Sequence, residues 1–267
     1  MPITSSPRLG ACAALGLLLA TLPIPAAALD LVGLTDKNQL VLFNVANPGA
    51  ARILPITGAG GRIIGIDFRP ANKQLYGVGA DSMIYVIDHA SGKASSARKL
   101  SVAFDGRKGA VVDFNPQADR LRLMATGGQN LRINVDTGEA AIDKPLAYKT
   151  GDAGAGKSPS VTAGAYINSF AGATQTQLFD YDSGTGSWLL QNPPNDGVLT
   201  TIGPSGLGSV RIDAVDILTD KDGEYHCFGV AGATLYRIDV ATGKAVQLGR
   251  VGAGRTKLID IAFVPVR

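Results

Sequence analysis

From residue 31 to the end of the chain, short apolar runs with two-residue alternation are broken at intervals by Gly, Asn, Asp, Ser and Thr, a pattern that predicts strands throughout. No useful length carries a helical period. The runs repeat: Ile84-Tyr85-Val86-Ile87-Asp88, ending at Gly92, aligns on Leu131-Arg132-Ile133-Asn134, ending at Gly138, and on Leu235-Tyr236-Arg237-Ile238-Asp239, ending at Gly243. Leu178-Phe179-Asp180-Tyr181-Asp182, ending at Gly186, is a fourth copy, and Leu40-Val41-Leu42-Phe43-Asn44, ending one residue late at Gly49, is a fifth. The Asx residues at 44, 88, 134, 182 and 239 stand 44 to 57 residues apart, the size of a propeller blade. Asx caps a turn and Gly supplies positive φ, so this feature reads as turn chemistry.

A second landmark precedes four of the copies: Ile66-Asp67-Phe68-Arg69-Pro70, Val112-Asp113-Phe114-Asn115-Pro116, and weaker forms at Ala165-Tyr166-Ile167 and Val215-Asp216-Ile217. A fifth, Ile261-Ala262-Phe263-Val264-Pro265, has no strand after it, whereas the chain near residue 31 starts with strands that lack an innermost partner. The two ends complete each other. The expected fold is therefore all-β: a five-bladed β-propeller of four-stranded antiparallel blades, closed by the C-terminal strand (residues 258–265) joining the N-terminal blade.

The N-terminus sets the compartment. Arg8, an apolar segment over residues 9–22, Pro23, Pro25 and Ala26-Ala27-Ala28 read as a secretory signal peptide cleaved after Ala28, leaving residues 29–267 as one propeller domain. The apolar segment is too short for a bilayer span, so the mature protein is expected to be exported, periplasmic or extracellular, with no membrane span. Cys227 is then without an intramolecular partner, and its strand setting makes it a core residue. A net charge of +3 from scattered residues excludes a nucleic-acid surface. The protein is expected to be a monomer, with a small ligand or another protein as its partner.

Several motifs carry candidate chemistry. Residues 151–158, Gly-Asp-Ala-Gly-Ala-Gly-Lys-Ser, match a phosphate loop letter by letter, but a strand and not a helix follows, so the segment reads as an inter-blade loop. The two histidines, His89 and His226, stand apart in the repeat frame, which leaves no histidine metal cluster. Asp67, Asp113 and Asp216 occupy equivalent innermost positions, where symmetry gathers them at the axis. There they are either oxygen ligands for Ca²⁺ or partners of backbone amides and arginines between blades. Arg120, Arg122 and Arg132 share one blade with Gln129 and Asn130, a donor-rich group suited to a carboxylate or a sugar or to internal ion pairs; Asn192 and Asn195 sit in a Pro-fixed turn on a rim, either turn chemistry alone or a loop that contacts a ligand.

The stretches Asp113-Phe114-Asn115-Pro116-Gln117-Ala118-Asp119-Arg120, Gly128-Gln129-Asn130-Leu131-Arg132-Ile133-Asn134, Ala165-Tyr166 and Gln191-Asn192-Pro193-Pro194-Asn195-Asp196-Gly197 resemble the domain-of-unknown-function 4394 family over roughly residues 31–265. The resemblance implies an exported bacterial propeller-like domain and assigns no catalytic residue. Two functions remain open: a ligand-binding or protein-interaction module, and a calcium-dependent propeller hydrolase or lactonase using axial carboxylates. A structural surface protein would instead self-associate.

Overall fold

The computed structural model describes residues 29–254 and 256–265; the leader expected over residues 1–28 lies outside them. In chain order the strands are β1 (Asp30–Thr35), β2 (Gln39–Asn44) and β3 (Asn47–Pro55) of blade I; β4 (Ile63–Phe68), β5 (Leu75–Gly79), β6 (Met83–Asp88) and β7 (Lys93–Lys99) of blade II; and β8 (Ala110–Asn115), β9 (Arg120–Ala125), β10 (Asn130–Ile133) and β11 (Ala140–Ile142) of blade III. After β12 (Ala147–Tyr148) come β13 (Val161–Tyr166), β14 (Leu178–Asp182), β15 (Ser187–Gln191) and β16 (Val198–Pro204) of blade IV, then β17 (Ala214–Thr219), β18 (Tyr225–Ala231), β19 (Thr234–Ile238) and β20 (Ala245–Arg250) of blade V. The last strand, β21 (Leu258–Phe263), is the innermost strand of blade I, in the sheet order β21-β1-β2-β3. Its antiparallel register sets Leu31 opposite Phe263 and Gly33 opposite Ile261, the closure that the repeat frame demands.

The inner strands β4, β8, β13, β17 and β21 stand against one another in a closed ring, forming a five-bladed β-propeller. Every residue of β4 and β13 is buried, because an inner strand is covered on both faces by neighbouring blades. Each seam between blades is filled by an apolar layer. The seam between III and IV (Val111, Met124, Val161, Tyr166, Leu178, Leu189, Leu199) has the smallest. At the IV–V seam Trp188 stacks on Phe179 with ring centroids 5.8 Å apart and donates its indole N–H to the Val240 carbonyl at 3.1 Å. Among the described residues no helix is long and apolar enough to cross a membrane.

The repeated Asx turn works as its chemistry predicts. Asp88 Oδ1 accepts the Ala90 N–H at 3.0 Å and Asn134 Oδ1 accepts the Asp136 N–H at 3.0 Å. Gly92 (φ 77°) and Gly138 (φ 82°) then fold each turn against the outer strand of the preceding blade, where a Cβ would collide with the Pro55 and Lys99 carbonyls. Glycine is needed twice over there, for conformation and for space.

Blade IV departs from the repeat frame. The copy Leu178–Asp182 is the second strand of its blade, whereas the other four are third strands. Asp182 still caps its turn, its Oδ1 accepting the Gly184 N–H at 2.6 Å, because one Asx-Gly turn closes any hairpin and carries no label for which hairpin it is. Blade IV also gains β12, a fifth strand paired in parallel with β16. Residues 151–158 form turns between β12 and β13, held by Asp152, which accepts the Thr201 N–H at 2.7 Å, and lead into a strand.

Candidate functional site

The inner strands bring the predicted acids to the axis and add one that the sequence reading passed over. Asp260 Oδ2 accepts the Ile66 N–H (2.7 Å) from blade II, Asp67 Oδ2 accepts the Phe114 N–H (2.7 Å) from blade III, Asp113 Oδ1 accepts the Tyr166 N–H (2.9 Å) from blade IV, and Asp216 Oδ2 accepts the Phe263 N–H (2.6 Å) from blade I. Four of the five seams are thus stapled by a carboxylate to a backbone amide. Among the described residues the fifth, between blades IV and V, is not, because the register of β13 puts Ala165 where the acid would be, one residue before Tyr166, which the repeat frame aligns there. Asp260 lies two residues before the repeat-frame position, which Ala262 fills, so alignment alone could not find it.

Asp67, Asp113 and Asp216 each offer an oxygen, and these lie within 4.8 Å of one another, a span that one calcium ion can bridge at its usual 2.3–2.6 Å. The three buried side chains could therefore hold a metal ion. Backbone donors already occupy much of this capacity: the second oxygens of Asp67 and Asp216 accept the Phe68 N–H (2.7 Å) and the Ile217 N–H (2.6 Å). Asp113 Oδ2 alone of the three pairs has no hydrogen bond among the described residues. Burial pushes all the axial carboxyls up, Asp67, Asp113 and Asp260 further through their acidic neighbours, and Asp216 reaches about 6.

The arginine-rich group resolves into a knot at the III–IV seam. Arg122, 1% exposed, donates to Asp143 Oδ2 (2.5 Å), Asn130 Oδ1 (2.8 Å), Asn195 Oδ1 (2.7 Å) and the Tyr166 hydroxyl (3.2 Å). Arg132 reaches the same Asp143 at 2.8 Å. Arg120 and Gln129 lie outside the knot: Arg120 donates to the Asp119 carbonyl (2.9 Å), and Gln129 accepts the Asp105 N–H (2.9 Å). Deep in the same seam sits Asp180, fully buried, with neither carboxyl oxygen hydrogen-bonded among the described residues. It lies over Gly164 in a second-strand position where blades I, II and V carry Gly33, Gly77 and Gly229. Burial raises its pKa to about 8 despite the Arg122 charge.

Asn192 lies instead on a cleft of about 430 Å³ at the ends of β13 and β15, which Tyr225 of blade V also lines. Its lining is rich in side-chain amides: Asn168, Gln175, Gln177, Gln191 and Asn192, above Ile167 and Leu190. The cleft straddles the seam that, among the described residues, lacks an axial carboxylate staple. These residues were not legible as a group, since Asn168, Gln175 and Gln177 of the β13–β14 loop and Gln191-Asn192 at the end of β15 have no shared spacing.

No curated protein matches the chain. Among solved structures it is similar to a protein of unknown function from Bacteroides thetaiotaomicron, with 16% identity, a TM-score of 0.50, and 81% of this chain and 56% of that one covered. It is also similar to a protein of unknown function from Bacteroides caccae (10% identity, TM-score 0.45, 90% and 100% covered) and to an auxiliary nutrient binding protein from Bacteroides thetaiotaomicron (13% identity, TM-score 0.42, 88% and 58% covered). The chain spans little more than half the length of both Bacteroides thetaiotaomicron proteins, and the likeness is one of fold. The family model for a domain of unknown function (DUF4394) matches residues 39–262, from the third strand of blade I through to the closing strand, and the chain belongs to that family.

Proposed function

We propose that this chain is a binding module, exported behind its N-terminal leader, that receives a small ligand in the cleft between blades IV and V. The observation that carries the reading is the cleft: about 430 Å³ falls in the range of small-molecule sites, and several polar side chains share its lining with Ile167, Leu190 and Pro194. Leu190 and Gln191 of β15 and Tyr225 of β18 are strand residues, and the rest of the lining comes from the loops beside them. The arginine knot is a poorer candidate, because its donors are already satisfied internally. A ligand-observed NMR screen of neutral, cationic and anionic small molecules tests the proposal. Ligands are expected to bind the wild type and to lose signal in Gln175→Leu and Tyr225→Ala variants; no binding, or binding indifferent to both changes, overturns it.

A second reading, the calcium-dependent hydrolase or lactonase, is favoured by the convergence of Asp67, Asp113 and Asp216 within 4.8 Å. Calcium held there would supply a Lewis acid for a substrate carbonyl. The carboxyls, raised by burial with Asp216 at about 6, would have to give up protons to take the ion, so stabilisation by calcium is expected to grow as pH rises from about 5. Metal analysis and thermal melts check this reading. A stoichiometric ion lost in Asp67→Asn and Asp113→Asn supports it, and no ion with an unmoved melting temperature in millimolar Ca²⁺ removes it.

A further inference from the structure

The cleft between blades IV and V has a chemical character that narrows its ligand, given the reading above that it is the binding site. Although 18% of the chain is charged, none of the residues lining the cleft is. A cation or an anion would lose its hydration there without gaining a countercharge, which is costly, so the ligand is neutral.

It is also rich in hydrogen-bonding groups. The side-chain amides of Gln175, Gln177 and Asn192 make no hydrogen bond among the described residues, and neither does the Tyr225 hydroxyl. Gln191 is 1% exposed; its Nε2 donates to the Pro194 carbonyl at 2.7 Å, while its Oε1 is the one buried amide oxygen without a donor among the described residues. A hydrocarbon ligand would cover these groups and leave them unpaired. Each amide pairs a donor with an acceptor at fixed spacing, and vicinal hydroxyls present the same two functions in return.

The third element is aromatic. Tyr225 lines the cleft and is 44% exposed, and its ring is a partner suited to the C–H face of a sugar. We infer that the cleft binds an uncharged saccharide, the end of a short glycan, with Gln175, Gln177 and Asn192 taking its hydroxyls, Tyr225 stacking on a ring, and Gln191 Oε1 accepting one hydroxyl proton. A peptide offers backbone donors and acceptors too, but spaced along an extended chain and not as vicinal pairs.

Isothermal titration calorimetry on the purified protein, with maltose, cellobiose, N,N′-diacetylchitobiose, a glucuronate disaccharide, glucosamine and end-blocked trialanine as probes, tests the inference. At least one neutral disaccharide is expected to bind, and Gln177→Leu and Tyr225→Ala are each expected to weaken it by roughly threefold to tenfold while melting temperature stays constant. The charged sugars are expected to bind more weakly than their neutral counterparts. Failure of every neutral saccharide overturns the saccharide assignment, and if the blocked peptide binds and responds to the same substitutions, the cleft stands as a site for another ligand class. Saccharide binding unaffected by both substitutions moves the site elsewhere and overturns the cleft reading itself.

Discussion

Replacing Asp180 with asparagine is expected to shift stability in the variant's favour by about 4 kcal/mol between pH 3 and pH 7, on top of whatever pH-independent change the amide brings. The acid is fully buried without a hydrogen bond among the described residues, and its pKa is raised from 3.8 to about 8. Below about pH 4 it is protonated whether the chain is folded or not, and it contributes no pH-dependent term. As pH rises from about 4 to about 8 the unfolded chain releases this proton and the native state retains it, so native stability falls across that window. Above it the loss levels off, on the order of 5 kcal/mol. Asparagine has the same shape and no proton to lose. The axial acids titrate in the same direction, so the measurement is the difference between variant and wild type in urea unfolding at a series of pH values. A flat difference from pH 4 to pH 8 would show that Asp180 is solvated or paired in solution.

The reverse effect is expected at Arg122. Arg122→Met removes the donor shared by Asp143, Asn130, Asn195 and Tyr166 and leaves the Asp143 carboxylate, 4% exposed, with Arg132 alone. Breaking one side of a buried ion pair costs about 3–5 kcal/mol, mostly because the remaining charge stays desolvated. The double variant Arg122→Met/Asp143→Leu is expected to recover much of that loss, since an apolar pair no longer strands a charge. Urea midpoints for the two single variants and the double close the cycle. Strict additivity would mean that the two side chains do not interact, against the 2.5 Å contact.

The two predictions fall on the same seam, and that seam shows where sequence reasoning runs out. Blade number, the innermost strands and the closure at residues 258–265 were legible because each blade repeats one spacing of apolar runs and turns. The axial acids were legible as equivalents, and their alternative as partners of backbone amides was weighed from strand geometry alone. Asp260 escaped because its carboxylate reaches the next blade from two residues earlier, a slip along the strand that side-chain identity does not announce. Asp180 escaped because its oddity is visible only once Gly33, Gly77 and Gly229 are known to share its position. Arg122, Arg132 and Asn130 were grouped by proximity in the chain, but Asp143 and Asn195, which decide that the group is inward-facing, come from other elements. The cleft needed the fold itself, since its walls are assembled from separated loops of two blades.

The pairing of β21 with β1 has a consequence for how the molecule is made. Synthesis produces β1 among the first strands and its hydrogen-bonding mate last, so one edge of the opening sheet stays bare while nearly all the chain emerges. Joining such distant segments adds little equilibrium cost, because loop entropy grows only logarithmically, yet it is slow to reach. During that interval the bare edge is open to strands of neighbouring nascent copies, and a holding chaperone that shields Asp30–Thr35 would raise the yield of closed rings without altering their final stability.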